Sequence, residues 1–177
     1  YVAFARESGV ETNVTMVERD SLSYTAANRV YQNGDYARAL TLMDNYLRQY
    51  PKGSFRIEAL YALGDCSLRE GNRAGALAAF EEVGSMPMSE YKVPALQQAA
   101  KMQVEDKHYP QAAALYKTLS TVAIKSADIA SALDGYLSAV IATGNVAEMG
   151  RAADEVLASP YVTADLTREA NFAKARA

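Results

Sequence analysis

Few side chains in this 177-residue chain have the types that nucleophilic or metal chemistry requires, and Cys66 and His108 are each the sole residue of their kind. A thiolate nucleophile needs a base beside it, and a catalytic histidine needs an orienting acid and a reacting partner within hydrogen-bond reach. No histidine lies near Cys66 in sequence, so it reads as a buried helix residue. His108, after Asp106-Lys107, reads as an exposed turn residue. Glu81 and Glu82 are not an acid pair, because adjacent helical side chains point about 100° apart. The stretch from Gly71 to Gly75 lacks the Lys-Ser/Thr and the preceding strand of a phosphate loop. One cysteine excludes an internal disulfide, and one histidine excludes the two-histidine zinc helix. A net charge of −3 and a pI near 5.3 leave no footprint for nucleic acid or anionic lipid. With the acids scattered along the chain, we expect no enzyme, no cofactor and no metal.

The elements that position these residues are helical. Five prolines and ten glycines are too few for a many-turned β architecture. Four related phrases recur at about 36–37 residues, within the range of helical solenoids. They are Gly34-Asp35-Tyr36-Ala37-Arg38-Ala39-Leu40, Gly71-Asn72-Arg73-Ala74-Gly75-Ala76-Leu77, Lys107-His108-Tyr109-Pro110-Gln111-Ala112-Ala113 and Gly144-Asn145-Val146-Ala147-Glu148-Met149-Gly150. A glycine at such a helix end permits positive φ, and the following Asp or Asn caps the next helix. The third phrase has Lys107 in the glycine's place, so its turn is expected to differ. Pro110 suits the first turn of a helix.

Amphipathic stripes flank each turn. Before it run Leu22, Ala26, Ala27 and Val30; Leu60, Leu63, Gly64 and Leu68; Leu96, Ala99, Ala100 and Val104; and Leu133, Tyr136, Leu137 and Val140. After it run Leu40, Met43 and Leu47; Leu77, Phe80 and Val83; Leu115, Tyr116 and Leu119; and Met149, Val156 and Leu157. Each unit is a helical hairpin whose apolar face a neighbour must cover, which makes a one-dimensional array. Prolines 51, 87 and 160 punctuate the connections. This predicts repeats at 20–53, 54–90, 91–125 and 126–162, then the first helix of a fifth at 163–177. Residues 1–9 read as the last helix of a preceding unit. The alternation of Val10, Thr12, Val14 and Met16 favours an extended linker over 10–19. The opening at Tyr1 and a close still in helical pattern lead us to expect an internal slice of a longer protein. No apolar run reaches the ~20 residues of a membrane span.

The second unit carries Leu60-x-x-Leu63-Gly64, Gly71-Asn72 and Ala76-x-x-x-Phe80, and the first carries Gly34-Asp35-Tyr36, Ala39-x-x-x-Met43 and Pro51. These residues resemble the tetratricopeptide repeat over 20–177, most strongly in the first two units. The resemblance implies an all-α, right-handed superhelix of stacked hairpins. Trp is absent, and Tyr46, Val83, Leu119 and Val156 stand where the family usually has alanine, so hairpin spacing is expected to be unusual. In this class the first helices line a concave groove. Tyr24, Asn28, Tyr31, Tyr61 and Asp65, continued by Gln97, Lys101, Asp134 and Ser138, are then expected to face a protein or peptide ligand. Tyr24 and Asp65 are unsuited to the family's clamp for a terminal carboxylate, so no such recognition is expected. Asp20-Ser21-Leu22-Ser23-Tyr24 leading to Asn33-Gly34-Asp35-Tyr36, with Leu63-Gly64-Asp65-Cys66, is similar to repeat proteins of the bacterial cell envelope. That implies a periplasmic or outer-membrane-associated scaffold. The alternative is a structural spacer, or a module that self-associates through its open ends at Phe4 and Phe172, without a groove ligand.

Overall fold

The computed structural model describes residues 10–177, and the expected helix over 1–9, with Phe4, lies outside them. Among the described residues every regular element is a helix. Two compact units divide after Met86. The first holds α1 (Val10–Gln32), α2 (Tyr36–Gln49), α3 (Arg56–Arg69) and α4 (Arg73–Ser85). The second holds α5 (Lys92–Glu105), α6 (Tyr109–Val122), α7 (Ser126–Thr143), α8 (Val146–Leu157) and α9 (Ala164–Arg176).

The hairpin turns follow the logic of the repeated phrases. Gly34, Gly71 and Gly144 have φ of +80°, +79° and +72°. The side chains of Asp35, Asn72 and Asn145 accept from the N–H groups of Arg38, Gly75 and Glu148 at 3.3, 3.0 and 3.2 Å. The third turn is not made differently: Lys107 itself takes the left-handed conformation, with φ +60°. Its N–H bonds Val104 O and that of His108 bonds Gln103 O, as Gly71 and Asn72 bond Leu68 and Ser67. A Cβ in that region costs about 1–2 kcal/mol, part of which glycine returns through its more flexible unfolded chain. Lys107→Gly is therefore expected to stabilise the protein by about 0.5–1 kcal/mol, read as a higher urea midpoint. Pro110 sits in the first turn of α6, as expected.

The extended linker expected over 10–19 is instead the start of α1, which is helical from Val10. Period-2 alternation over so few residues is a weak preference, and the hydrogen-bond ladder of a long helix overrides it. The buried stripe of α1 is also shifted. Leu22 is 70% exposed and Ala26 is exposed, while Asp20, at 7%, and Ala27 are buried. Val104 at the end of α5 likewise lies outside the core.

Asp20 faces inward because its carboxylate is satisfied. Tyr46 donates its hydroxyl to Asp20 Oδ1, and Ser54 N–H donates to Oδ2 at 2.8 Å. Phe55 N–H in turn donates to Tyr46 Oη at 3.1 Å. Tyr46 is 1% exposed, and burial followed by the adjoining Asp20 raises its phenol well above the usual range. Gly53 makes room for it: a Cβ there would lie 2.5 Å from Tyr46 Oη and 2.9 Å from Tyr50 Cβ. The bulky residue at a usual alanine position is thus accommodated by a glycine in the following turn.

Elsewhere the packing is tight and apolar. Ala39, Ala76 and Ala112 are fully buried. A Cβ on Gly64 of α3 would meet the Phe80 ring of α4 at 2.8 Å, and one on Gly135 of α7 would meet Tyr116 of α6 at 2.6 Å. In the second unit Leu137, Val156, Leu166 and Ala170 join α7, α8 and α9 in one core.

Candidate functional site

The candidate residues lie on the first helices of the hairpins, α1 and α3 in one unit and α5 and α7 in the other. Tyr24, Asn28 and Tyr31 fall at i, i+4 and i+7 of α1, and Tyr61 and Asp65 at i and i+4 of α3, so each set forms one stripe.

In the first unit the stripe is largely occupied by its own contacts. Tyr24 is half-buried and stacks on Phe55 with centroids 4.4 Å apart and planes 3° apart, and it tilts against Tyr46. Tyr31 donates its hydroxyl to Asp65 Oδ2 at 2.8 Å, and Arg69 Nε donates to the same oxygen at 3.0 Å. The Arg69 guanidinium lies 4.4 Å over the Tyr36 ring. Burial, and then the Asp65 carboxylate, raise the Tyr31 phenol well above its usual range. Tyr24 and Tyr31, expected to face a ligand, thus pack against the core cluster and tie α1 to α2 and α3. Tyr61 sets its ring edge-on to Phe80 and, like Asn28, is half-buried.

In the second unit the residues are exposed. Gln97 Nε2 reaches Asp128 Oδ1 at a long 3.5 Å, from α5 to α7, and Lys101 sits 3.9 Å from Glu105 on its own helix. Ser138 donates to Glu169 Oε1 at 3.4 Å, from α7 to α9. Glu169 also faces Asp134, a partner that sequence reading missed because the two lie on successive first helices. Burial, then Asp134, raise the Glu169 carboxyl. A carboxyl raised in the folded state binds its proton more tightly there, so stability is highest below the ordinary glutamate range. It falls as pH rises through the folded value. Glu169→Gln is accordingly expected to raise the melting temperature at pH 7 and to change little at about pH 4, by thermal melts at both. Tyr31–Asp65, Gln97–Asp128 and Ser138–Glu169 share one role: each links a first helix to the next within its unit.

The residues that first suggested chemistry lie apart from this face. Cys66 is fully buried, and burial with Asp65 beside it pushes the thiol up to about 11, so it stays protonated at neutral pH. His108 is exposed at the N-cap of α6, with Nδ1 3.0 Å from Gln103 Oε1. Among the described residues no three potential metal ligands gather, and no helix is long and apolar enough to cross a membrane.

No protein-family profile matches the sequence, and no curated protein sequence does. Solved structures do match. A MamA RS-1 ArsTM double mutant aligns with a TM-score of 0.56 and 17% identity, over 89% of this chain and 84% of that one. The fold is a tetratricopeptide-like repeat. A tetratricopeptide repeat protein from Parabacteroides merdae ATCC 43184 matches at TM-score 0.59 and 18% identity, over 90% of this chain and 59% of its own. The putative kinesin light chain TPR-like repeats of Podosopora anserina match at 0.52 and 16%, over 90% and 87%. The all-α solenoid class that the repeated phrases predict is therefore the class observed.

Proposed function

We propose that this tetratricopeptide-like array is a non-enzymatic scaffold that binds a protein or peptide on the face of its first helices. The observation that carries this reading is the second unit, where Gln97, Lys101, Asp134 and Ser138 are exposed on successive first helices and the core has no need of them. Side chains of mixed charge and hydrogen-bonding capacity, held on rigid helices, suit recognition of an extended partner. In the first unit Asn28 is the residue on offer, since Tyr24, Tyr31, Tyr61 and Asp65 are engaged in contacts of their own. The similarity of the Asp20–Tyr24, Asn33–Tyr36 and Leu63–Cys66 phrases to envelope repeat proteins supports a periplasmic or outer-membrane-associated setting. The test is capture of partners from a periplasmic extract by wild type and by Gln97→Ala/Lys101→Glu/Ser138→Lys. These positions are exposed, so the variant keeps its fold, and a partner lost from it is expected. Equal capture by both removes this face from the function.

A second reading, self-association through the array's ends, is favoured by the exposure of Met16 and Val17 on α1 and of Phe172, 63% exposed, on α9. Light scattering over a concentration series tests it. Phe172→Glu is expected to hold the chain monomeric where wild type associates, and a wild type that stays monomeric throughout discards it.

A further inference from the structure

The loops that enter the first helices of the second unit carry a row of large apolar side chains. Met88 precedes α5, Ile124 precedes α7 and Tyr161 precedes α9, at intervals of about 36–37 residues, the period of the repeat. All three are exposed, at 53%, 82% and 44%. Single apolar residues on a surface are ordinary, but one at the equivalent point of three successive loops forms a continuous feature. Met88 and Ile124 line one cleft of about 380 Å³, whose apolar wall Val93 and Pro94 of α5 complete. Glu90, Lys125 and Asp128 also line it. Their charges are of both signs, so the cleft selects by apolar surface and spacing rather than by charge.

The interval in space follows from the stacking. Successive first helices touch, through Gln97 and Asp128 from α5 to α7 and through Ser138 and Glu169 from α7 to α9. Packed helices lie about 8–10 Å apart, so equivalent points on their entering loops recur at about that interval. A polyproline II segment has three residues per turn and rises about 3.1 Å per residue, which returns a side chain to one face every ~9 Å. An extended strand returns one every ~7 Å, out of step with the row. A helix repeats after seven residues, about 10.5 Å, but its stripe also presents side chains at i+3 and i+4, about twice the density of the row.

We infer that this row binds a partner segment in the polyproline II conformation with an apolar side chain at every third residue. One side chain enters the cleft between Met88 and Ile124, and the following ones lie along Ile124 and Tyr161. The Tyr161 ring offers the aromatic surface on which proline packs, and a segment already held in this conformation loses little entropy on a shallow surface. This reading does not rest on the first-helix face, so either can fail alone.

The test is a titration of the protein with blocked heptapeptides, followed through backbone amide NMR shifts. The probe acetyl-Leu-Pro-Gln-Leu-Pro-Gln-Leu-amide is expected to give saturable shifts at Met88, Ile124 and Tyr161. Acetyl-Leu-Gln-Leu-Gln-Leu-Pro-Pro-amide has the same composition with its apolar residues at alternate positions, and it should bind about tenfold more weakly or worse. The first probe should lose about as much on Ile124→Glu and on Tyr161→Glu, each of which removes apolar contact area. Both positions are exposed, so these variants keep their fold. Lys101→Glu/Ser138→Lys, on the first-helix face and outside the cleft, should bind the probe as wild type does. Absence of saturable shifts, or equal binding by the alternate-spacing peptide or by Ile124→Glu, overturns the proposal. Equal or tighter binding of acetyl-Leu-Ala-Gln-Leu-Ala-Gln-Leu-amide, which is free to form a helix, also overturns it, in favour of a helical ligand.

Discussion

Phe80→Ala is expected to lower stability by about 3–5 kcal/mol, because the ring is 2% exposed and its removal leaves a cavity between α3 and α4. The face of that cavity is Gly64, where the absent Cβ would lie 2.8 Å from the ring. Gly64→Ala alone should therefore destabilise, although alanine is favoured over glycine in a helix interior by about 1 kcal/mol. In the Phe80→Ala background the clash is gone. The added methyl then fills space and gains the helix preference, so the same substitution should stabilise. A double-mutant cycle from urea titrations measures the reversal of sign. Additive effects would show that the two helices do not meet at this pair.

Asp20→Ala is expected to cost about 3 kcal/mol, although the sequence gives it the look of a solvent-facing helix residue. The substitution removes a carboxylate that accepts from Tyr46 and from Ser54 N–H, and bonds to charged groups contribute about 1.5–3 kcal/mol each. It also leaves the Tyr46 hydroxyl without its acceptor in a buried site. Tyr46→Phe should cost about 2 kcal/mol by depriving Asp20 and Phe55 N–H of the same hydroxyl. The double variant should then cost clearly less than the sum, since each change breaks one network. A loss under about 0.5 kcal/mol for Asp20→Ala, the range of an ordinary surface position, would contradict the buried arrangement.

What the sequence conveys of this protein is the local grammar. Glycine followed by Asp or Asn identifies a turn and its cap whatever lies around it, so Gly34-Asp35, Gly71-Asn72 and Gly144-Asn145 predict their geometry from sequence. Lys107 shows that the surrounding helices can impose the same left-handed turn on a residue that does not favour it. Where packing between helices decides, the pattern misleads. Leu22 looks like core and Asp20 like surface, but a partner 26 residues away inverts them by supplying the hydroxyl that a buried carboxylate needs. The same holds for the candidate face. Its stripes of Tyr24, Asn28 and Tyr31, and of Asp134 and Ser138, follow from helical spacing alone. Nothing in spacing indicates that Tyr24 would be stacked under Phe55, that Tyr31 would find Asp65, or that Glu169 would come to face Asp134. Such pairings depend on how one hairpin is set against the next. Tyr46, which differs from the repeat pattern, takes part in one such pairing through Asp20 and Phe55 N–H.

The central claim, that partners are held on the first helices, is tested most directly by site-specific photocrosslinking in cells. A photoreactive amino acid would be placed singly at Gln97, Lys101 and Ser138, and at Thr41 and Ala78 on the second helices, all five exposed. Crosslinks to a shared partner from the first three positions, with none from Thr41 or Ala78, are the predicted result. Crosslinks confined to Thr41 and Ala78, or the same bands from all five, would contradict it.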